Sequence, residues 1–428
     1  MSVSDVVVRP AKGISGTLRL PGDKSVSHRY AMLAAIAEGE SRFQNFSTAA
    51  DCESTLACLR QLGVGCEVEN LTLVVQGKSP RLAPSSRPLD CGNSGSTMRL
   101  LSGILAGQPF ASQMVGDQSL SRRPMDRIVS PLRRMGAHIA SEDGRPPLHI
   151  SPASLRGIHY EMPVPTAQVK TALLYAGLFA EGETTVVEPA RTRDHGELAL
   201  RAFGAKVAVA GRAISIIGRQ QLQGIEATVP GDLSTAAFFM CAAALFPGSQ
   251  LTITSLLLNP TRAAVLDLLL AMGARVSVTE IEEVHGELAG TVLVQCGELK
   301  GGRISGAMVP ALIDELPVLA AIAPYTSQGI EIRDAQELRV KESDRLAAVT
   351  SNLQAMGAEV ESFTDGVRIP GRQVLHGAEL DSFGDHRIAM AFAIAALRAT
   401  GDSVIHHADC ARISFPDFFD ALETLAQR

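Results

Sequence analysis

Six stretches of the chain share one pattern of apolar and polar positions. Each begins with a nearly continuous run rich in Ala and Leu. This run is followed by a short apolar run and then by a run with one apolar helical face. One or two alternating segments come last, such as LTLVVQG (71–77) or RAISIIG (212–218). The pattern predicts a buried helix, a strand, an amphipathic helix and further strands. The expected fold class is therefore α/β, with six repeated βαβαββ-type units.

Small residues mark where these units begin and where their amphipathic helices end. A Leu-Pro or Val-Pro pair opens four of them, at Leu20-Pro21, Val164-Pro165, Val229-Pro230 and Val309-Pro310, and two more runs begin near Gly92 and Gly384. An apolar residue followed by Gly closes the second helix at Leu62-Gly63, Met135-Gly136, Phe203-Gly204, Met272-Gly273 and Met356-Gly357. Because Gly adopts the left-handed conformation easily, we expect these glycines to terminate helices.

Two units open with nearly the same sequence. PGDKSVSHR begins at Pro21, PGDLSTAAF begins at Pro230, and the ungapped match continues to Gly39 and Gly248. Such an internal repeat predicts two domains of three units each. We expect a discontinuous domain of residues 1–22 and 229–428, a second domain of residues 23–228, and a hinge near residues 21–23 and 227–231.

Composition narrows the class of protein. The chain has 428 residues, of which 46% are hydrophobic, which is enough for two or three domains. No window resembles a membrane span or a signal peptide, so we expect a cytoplasmic protein without membrane contact. The seven cysteines include no CxxC pair, so neither a disulfide framework nor a metal site is expected, and no cofactor is indicated.

Charge argues against a nucleic-acid partner. The formal net charge is −6 and aromatic residues make up only 4% of the chain, whereas nucleic-acid-binding domains are usually basic and use aromatic stacking. The expected partners are small anionic molecules bound at local clusters of cations, and the chain is expected to be a monomer.

The first cluster lies in PGDKSVSHR, where Lys24, Ser25 and Arg29 occupy a predicted helix start. Two cations at the positive end of a helix dipole are unfavourable unless an anion neutralises them. A solvated surface helix explains this segment alone equally well. The uncharged copy at Pro230 is expected to be structural.

Two segments of the second unit suit an anion. DCGNSGSTMR (90–99) has glycines that allow close approach of backbone to a ligand, but it lacks the Lys-Ser/Thr ending of a nucleotide P-loop. In SLSRRPMDR, Arg122 and Arg123 precede Pro124, which we expect to be the first helical residue. Guanidinium groups suit phosphate or carboxylate. A plain glycine turn remains the alternative.

The third unit places Thr166, Gln168 and Lys170 at the start of an otherwise apolar helix, and ARTRDH offers Arg191 and Arg193 before the next helix. A local cap and surface salt bridges account for these residues nearly as well.

The fifth unit carries acids where the first carries cations, at Asp314 and Glu315. In its companion ELRVKESDRL, we expect Lys341 and Arg345 on one helical face, with Glu342 able to balance Arg345. An ordinary ion-paired helix is the alternative interpretation.

In the sixth unit, FGDHRIAMAF places His386 and Arg387 at the entrance of an apolar helix, where a hydrogen-bonded core histidine is the alternative. Five of the six units thus concentrate polar groups at equivalent helix starts. Together they predict a cleft with many cations and few carboxylates, suited to a pair of anionic substrates and to proton transfer.

These motifs, in this order, resemble the 5-enolpyruvylshikimate-3-phosphate synthase family over nearly the whole chain. The resemblance implies the inverted α/β, barrel-like enolpyruvyl transferase fold, with two domains of three repeats that close over substrate. It also implies transfer of the enolpyruvyl group of phosphoenolpyruvate to the 5-hydroxyl of shikimate 3-phosphate, through a tetrahedral intermediate, in aromatic amino acid biosynthesis.

The resemblance further implies site residues. Those that would bind shikimate 3-phosphate are Lys24, Ser25, Arg29, Thr166, Ala167, Gln168, Arg193, Asp314 and Lys341. Those that would bind phosphoenolpyruvate are Lys24, Asn93, Gly95, Arg123, Gln168, Arg345, His386 and Arg387. The implied catalytic residues are Asp314 as the base for the 5-hydroxyl, Lys341 as its assistant, Glu342 as the acid for the methylene carbon, and Lys24.

The sequence departs from the family in two places. Thr166 stands where many relatives have Ser, which keeps the hydroxyl. Near Ile413, where some relatives have a Lys that contacts the departing phosphate, this chain offers only Arg412. Gly95 matches the small residue that lies beside the site of the inhibitor glyphosate in the family.

Two other interpretations compete with this one. UDP-N-acetylglucosamine enolpyruvyl transferase shares the fold and the phosphoenolpyruvate substrate, but its mobile-loop cysteine motif is missing, since Cys91 lies within DCGNSG. A non-enzymatic repeat assembly that encircles nucleic acid would need a basic inner face, which the net charge opposes.

Overall fold

A computed structural model describes residues 5–428 of the chain. The chain divides into two compact units. The middle unit comprises residues 22–229 and the short segment 283–287, and the terminal unit comprises residues 5–21, 230–282 and 288–428. The segment 283–287 was not part of the predicted middle domain. Its Glu287 Oε1 lies 2.6 Å from Nδ1 of His195, and both side chains are buried. The predicted hinge near residues 21–23 and 227–231 stays a prediction.

Over most of the chain, a buried helix alternates with a more exposed one. The α-helices of the described residues are α1 (Lys24–Ala35), α2 (Ala50–Gln61), α3 (Gly95–Ala106), α4 (Asp126–Arg134), α5 (Ala167–Gly177), α6 (His195–Ala202), α7 (Leu233–Leu245), α8 (Ala264–Met272), α9 (Met308–Leu312), α10 (Leu316–Ile322), α11 (Arg345–Ala355), α12 (His386–Ala396) and α13 (Phe418–Leu425). Short 3-10 turns cover Leu120–Arg122, Ala323–Tyr325, Gln336–Val340 and Ala408–Ile413.

The strands are short and lie between these helices. In chain order they are β1 (Val6–Val8), β2 (Gly13–Arg19), β3 (Glu40–Gln44), β4 (Gly65–Glu69), β5 (Thr72–Gln76), β6 (Leu89–Asp90), β7 (Ser112–Val115), β8 (His138–Glu142), β9 (Arg145–Ser151), β10 (His159–Glu161), β11 (Glu183–Val187), β12 (Val207–Ala210), β13 (Ala213–Ile217), β14 (Glu226–Thr228), β15 (Gln250–Leu257), β16 (Arg275–Val284), β17 (Glu287–Gln295), β18 (Gly302–Ile304), β19 (Ile330–Ile332), β20 (Glu361–Phe363), β21 (Gly366–Ile369), β22 (Glu379–Asp381), β23 (Ser403–His406) and β24 (Ala426–Gln427).

The middle unit has three four-stranded sheets of the same design. Their orders are β14-β3-β5-β4, β6-β7-β9-β8 and β10-β11-β13-β12. In each sheet the first pair is parallel and the next two pairs are antiparallel. Strand β14 follows the third repeat in sequence, yet it pairs with β3 of the first repeat, with Glu226 opposite Arg42. The three repeats therefore close on one another.

The terminal unit also has three sheets, in the orders β1-β23-β22, β16-β17-β15-β2-β24 and β18-β19-β21-β20. Strand β2 runs parallel to β15, with Ser15 opposite Gln250. The opening strands of the chain therefore belong with its C-terminal half. Three sheets in each unit confirm the predicted α/β fold of six repeats.

The two PGD segments serve one structural purpose, which is to begin a helix. The side chain of Asp23 accepts a hydrogen bond of 2.9 Å from the Val26 amide at the start of α1, and Asp232 accepts one of 2.8 Å from Thr235 at the start of α7. Aspartate is a favoured residue at this position because it satisfies an otherwise unpaired helix amide. Every residue of α7 is buried, which explains why that copy lacks charge.

The first helix of each repeat is enclosed by its neighbours. Helices α3 and α5 pack together at the centre of the middle unit. Beside α1, the ring centroid of Tyr30 lies 5.2 Å from that of Phe43 and 6.1 Å from that of Phe203. Burial on all sides explains why these helices appear in the sequence as continuous apolar runs. The predicted terminating glycines all have positive φ, with values of 83°, 94°, 90°, 107° and 87° at Gly63, Gly136, Gly204, Gly273 and Gly357.

Two local predictions were wrong. Helix α4 begins at Asp126, after Pro124, because the Met125 amide donates to the Gly144 carbonyl at 2.7 Å and lies outside the helix. Lys341 and Arg345 do not share a helical face, since Lys341 follows a 3-10 turn and α11 begins at Arg345. Within residues 5–428, no helix is both long and apolar enough to span a bilayer.

Candidate active site

In the middle unit, the start of α1 carries two enclosed cations. Lys24 Nζ lies 2.9 Å from Asp51 Oδ2, and both side chains are largely buried. Arg29, 4% exposed, donates from Nη1 to the Ser25 carbonyl at 2.8 Å and from Nη2 to Thr171 Oγ1 at 3.4 Å. These contacts fix the guanidinium beside the first turn of α1.

A second guanidinium acts on Arg29. Burial lowers the pKa of Arg29, and the nearby positive charge of Arg193 lowers it further, against the raising effects of Tyr175, Glu197 and Asp23. Arg193 lies in the segment between β11 and α6 and is half-buried. A bound anion would be stabilising beside a guanidinium group whose charge is disfavoured both by burial and by a second guanidinium group.

The starts of α3 and α5 are tied together through Gln168. Its Oε1 accepts a hydrogen bond of 2.8 Å from Arg99 Nη1, and its Nε2 donates to Ser96 Oγ at 3.0 Å. Thr166 occupies the cap position of α5, but its side chain makes no capping hydrogen bond. The positive end of this helix is therefore not closed by its own cap, which favours an anion there.

Gly95 lies under two guanidinium groups. A Cβ atom at this position would lie 2.8 Å from Arg99 Nη1 and 3.5 Å from Arg123 Nη1. Arg123 Nη2 donates to Asn93 Oδ1 at 2.7 Å, and Asn93 Nδ2 donates to Asp117 at 2.7 Å. The absent side chain thus leaves room beside two cations that are held in place by hydrogen bonds.

In the terminal unit, a carboxylate lies between two guanidinium groups. Asp314 Oδ1 is 3.9 Å from Arg345 Nη1, and Asp314 Oδ2 is 3.8 Å from Arg387 Nη2. Arg387 Nη1 also donates to the Asp314 carbonyl at 2.7 Å. Asp314 therefore lies beside two cations, and a carboxylate is a group that can act as a general base.

Arg345 is the centre of this group. Its side chain is 1% exposed, its Nε lies 2.8 Å from Asp385 Oδ2, and its Nη2 lies 2.6 Å from Glu342 Oε2. Burial lowers the pKa of Arg345, but the negative charges of Asp385, Glu342 and Asp314 outweigh burial and raise it. Arg345 therefore stays a cation despite its enclosure.

Lys341 and His386 also belong to this group of the terminal unit. Burial lowers the pKa of Lys341, and the positive charge of Arg345 lowers it further. The negative charges of Asp314 and Glu337 oppose this change. His386, 1% exposed, is the first residue of α12, and its Nδ1 lies 4.0 Å from Asp385 Oδ1. No group of three or more possible metal ligands occurs within residues 5–428.

The comparison with known proteins identifies the family. A family model described as EPSP synthase (3-phosphoshikimate 1-carboxyvinyltransferase) matches residues 8–422. The chain belongs to the EPSP synthase family.

Relatives agree over the full length. The chain is 57% identical over 427 residues to the 3-phosphoshikimate 1-carboxyvinyltransferase of Koribacter versatilis, covering 100% of both chains. It is 54% identical to the enzyme of that name from Solibacter usitatus, covering 99% of this chain and 100% of the relative. The solved structure of EPSP synthase from Acinetobacter baumannii matches with a TM-score of 0.88 and 40% identity, covering 99% of this chain and 98% of that one.

The residues that the family resemblance implies fall into two groups. In the middle unit, the group lies at the starts of α1, α3 and α5 and in the segments before α4 and α6, and its members are Lys24, Ser25, Arg29, Asn93, Gly95, Arg123, Thr166, Ala167, Gln168 and Arg193. In the terminal unit, the group lies around Arg345 and comprises Asp314, Lys341, Glu342, Arg345, His386 and Arg387. Arg412 is exposed at the end of a 3-10 turn.

Sequence reasoning missed three residues that contact the implied site residues. Asp51 pairs with Lys24, Arg99 bonds Gln168, and Asp385 pairs with Arg345. The first contact joins the two helices of the first repeat and the second joins two different repeats, so no local pattern could reveal them. Asp385 had a signal, since an Asp directly before an apolar helix is a common cap.

Proposed function

We propose that this chain transfers the carboxyvinyl group of phosphoenolpyruvate to the 5-hydroxyl of shikimate 3-phosphate and releases phosphate. The observation that carries the proposal is the arrangement around Arg345. Asp314 and Glu342, two carboxylates with opposite duties in this reaction, both approach that guanidinium group. Family membership supplies the identity of the substrates.

The cations of each unit support anion binding. We assign shikimate 3-phosphate to Lys24, Ser25, Arg29, Thr166, Ala167, Gln168 and Arg193, with Asp314 and Lys341 at its reacting hydroxyl. We assign phosphoenolpyruvate to Lys24, Asn93, Gly95, Arg123, Gln168, Arg345, His386 and Arg387. Fixed guanidinium groups suit both ligands because they bind phosphate and carboxylate through two parallel hydrogen bonds.

Addition needs one base and one acid. Asp314 accepts the proton of the 5-hydroxyl while the hydroxyl oxygen attacks the carbon of phosphoenolpyruvate that bears the phosphate. Lys341 assists Asp314. Glu342 gives a proton to the methylene carbon, which becomes a methyl group. Each proton transfer by a positioned group typically accelerates such a reaction about 10²–10⁴-fold.

The contact between Glu342 and Arg345 suggests how the acid becomes available. Glu342 Oε2 lies 2.6 Å from Arg345 Nη2. An anionic substrate that binds Arg345 competes with Glu342 for that guanidinium group, and it thereby releases the carboxyl group to act on the methylene carbon.

Elimination then reverses the proton transfer at carbon. The methyl group of the tetrahedral intermediate loses a proton to Glu342, the carbon–oxygen bond to phosphate breaks, and the vinyl group forms. The proton that Asp314 accepted leaves with the phosphate, which departs as hydrogen phosphate. Lys24, Arg123 and Arg387 stabilise the charge that develops on the departing phosphate.

We propose the cytoplasm as the location. All seven cysteines are free thiols, two of them only partly buried, which suits a reducing compartment. The expectation of a monomer stays a prediction that size-exclusion chromatography with light scattering would test.

Mass spectrometry of the reaction in D₂O tests both the activity and its route. Purified protein with phosphoenolpyruvate and shikimate 3-phosphate should yield the carboxyvinyl ether of the acceptor, with deuterium in its vinyl group, because the methyl group forms transiently. Absence of the ether would contradict the function. An ether without deuterium would contradict addition followed by elimination.

A further inference from the structure

Three charged side chains lie buried behind the proposed binding site for shikimate 3-phosphate. Lys170 on α5, Glu188 just after β11 and Glu197 on α6 are 0%, 3% and 3% exposed. Lys170 Nζ lies 3.0 Å from Glu188 Oε1 and 2.7 Å from Glu197 Oε1. We call these three residues the Lys170 cluster. Lys170 follows Gln168 by two residues on the same helix, so the cluster lies next to the proposed site without being part of it.

Stability alone does not account for the Lys170 cluster. Removing several charges from water is expensive, and apolar replacements of buried ion pairs are often neutral or stabilising. A buried cluster of this kind therefore points to a need for fixed geometry.

One side of the cluster holds the segment that carries Arg193. Glu188 Oε1 accepts a hydrogen bond of 3.2 Å from the Thr192 amide, and the Thr192 hydroxyl donates to the same oxygen. Thr192 directly precedes Arg193. Because Lys170 is paired with that oxygen as well, the segment of residues 189–194 is anchored to α5.

The other side of the cluster acts on Arg29. The charge of Glu197 raises the pKa of Arg29, whereas the charge of Arg193 lowers it. Burial raises the pKa of Glu197, and the nearby ammonium group of Lys170 opposes that change. Two basic and two acidic side chains thus interact within one buried group.

We infer that the Lys170 cluster positions Arg193 and Arg29 at the spacing that the anionic acceptor substrate requires. Its members act through those two guanidinium groups and are positioning residues, not catalytic ones. This inference rests on the proposed function, since it assumes that shikimate 3-phosphate binds between them. It predicts that damage to the cluster weakens binding of that substrate and spares phosphoenolpyruvate.

The sharpest test removes the Thr192 hydroxyl, because this change leaves the buried charges in place. Thr192→Val should raise KM for shikimate 3-phosphate about tenfold, in line with the loss of a hydrogen bond to a charged group. We expect kcat and KM for phosphoenolpyruvate to stay within about twofold, and Thr192→Ser to restore the original KM. The matched control is Thr185→Val on β11. The hydroxyl of Thr185 shares a hydrogen bond of 2.7 Å with the hydroxyl of Ser215, which is not a member of the Lys170 cluster.

A second variant tests the charge. Glu188→Gln keeps an acceptor for Thr192 but removes the negative charge that pairs with Lys170, and it should raise the same KM by a similar factor. Folded Thr192→Val and Glu188→Gln proteins with unchanged KM for shikimate 3-phosphate would overturn the inference. Equal increases in KM for both substrates would also overturn it, because they indicate general loosening. A wild-type protein that forms no product would instead refute the proposed function.

Discussion

Arg345 and Asp385 form a buried two-point ion pair, in which Nε lies 2.8 Å from Oδ2 and Nη2 lies 3.2 Å from Oδ1. Oδ1 of the same carboxylate accepts a hydrogen bond of 2.9 Å from the Arg387 amide at the start of α12. One side chain therefore fixes the positions of two of the cations proposed to bind phosphoenolpyruvate.

This relationship predicts the effect of Asp385→Asn. The amide can still cap α12, but Arg345 loses its buried counter-charge, so KM for phosphoenolpyruvate should rise about tenfold or more. The free energy of unfolding should fall by about 3 kcal/mol, as expected when one partner of a buried pair is removed. Steady-state kinetics and urea denaturation check both effects.

The matched control is Asp344→Ala in the same unit. Asp344 caps α11 through the Ala347 amide and pairs with the partly exposed Arg339, at 3.0 Å and 2.8 Å respectively. Its loss should lower stability by about 1 kcal/mol and leave KM unchanged. The same rise in KM for both variants would contradict a specific role for Asp385.

Asp314→Asn should nearly abolish turnover. Loss of the proposed base should lower kcat about 10²–10⁴-fold with little change in the folded state. The comparison variant is Asp365→Asn, which weakens an ion pair of 3.0 Å with Arg333 elsewhere in the terminal unit and should leave kcat unaltered. If Asp314→Asn retained more than a tenth of the wild-type kcat in a phosphate-release assay, its assignment as base would be wrong.

Gly95→Ala should weaken phosphoenolpyruvate binding. The new methyl group would lie 2.8 Å from Arg99 Nη1 and 3.5 Å from Arg123 Nη1, so the Arg99 guanidinium group must shift and the space beside these two cations is filled. We expect KM for phosphoenolpyruvate to rise about tenfold, with KM for shikimate 3-phosphate within about twofold. Ser96→Ala leaves the space beside Gly95 unchanged, and it should raise KM for phosphoenolpyruvate less than Gly95→Ala does. An unaltered KM for phosphoenolpyruvate in Gly95→Ala would refute this account.

The repeat architecture could be predicted because its signals are local. A helix enclosed on all sides needs a continuous apolar run, and a helix end in the left-handed region favours glycine, so α1 and Gly63 leave recognisable traces in the sequence. The start of α11 was mispredicted because a spacing of four residues looks helical even where, as here, Lys341 follows a 3-10 turn and irregular backbone separates it from Arg345.

The contacts within each group of candidate residues could not be predicted in the same way. Lys24 meets Asp51 from α2, and Gln168 of the third repeat meets Arg99 of the second. These contacts depend on tertiary packing between separate helices. The family resemblance gave the residue types of the site, whereas the Lys170 cluster emerged only from the packing of α5 against the ends of β11 and α6.

The buried His28 predicts a loss of stability in mild acid. Burial lowers the pKa of His28 well below 6.5, and the charges of Lys24 and Arg29 lower it further. The folded protein thus keeps His28 neutral, while the unfolded chain takes up a proton below about pH 6.5. The free energy of unfolding should therefore decrease as the pH falls from 6.5 toward the depressed pKa of the folded state.

His28→Gln should flatten that pH dependence, as measured by urea denaturation between about pH 5 and 8. His406 provides a control of opposite sign, because Asp5 and Glu379 raise its pKa. The small contribution of His406 to the free energy of unfolding is present below pH 6.5, and it is lost as the pH rises through the raised pKa. Parallel stability curves for wild-type protein and His28→Gln would contradict the assignment of a neutral, buried His28.

The central claim is that this chain uses shikimate 3-phosphate as the acceptor of the carboxyvinyl group. Release of inorganic phosphate from phosphoenolpyruvate tests it most directly, with purified protein given either shikimate 3-phosphate or UDP-N-acetylglucosamine and no added metal. The account predicts release with shikimate 3-phosphate only. Release with UDP-N-acetylglucosamine, or with neither acceptor from folded protein, would contradict it.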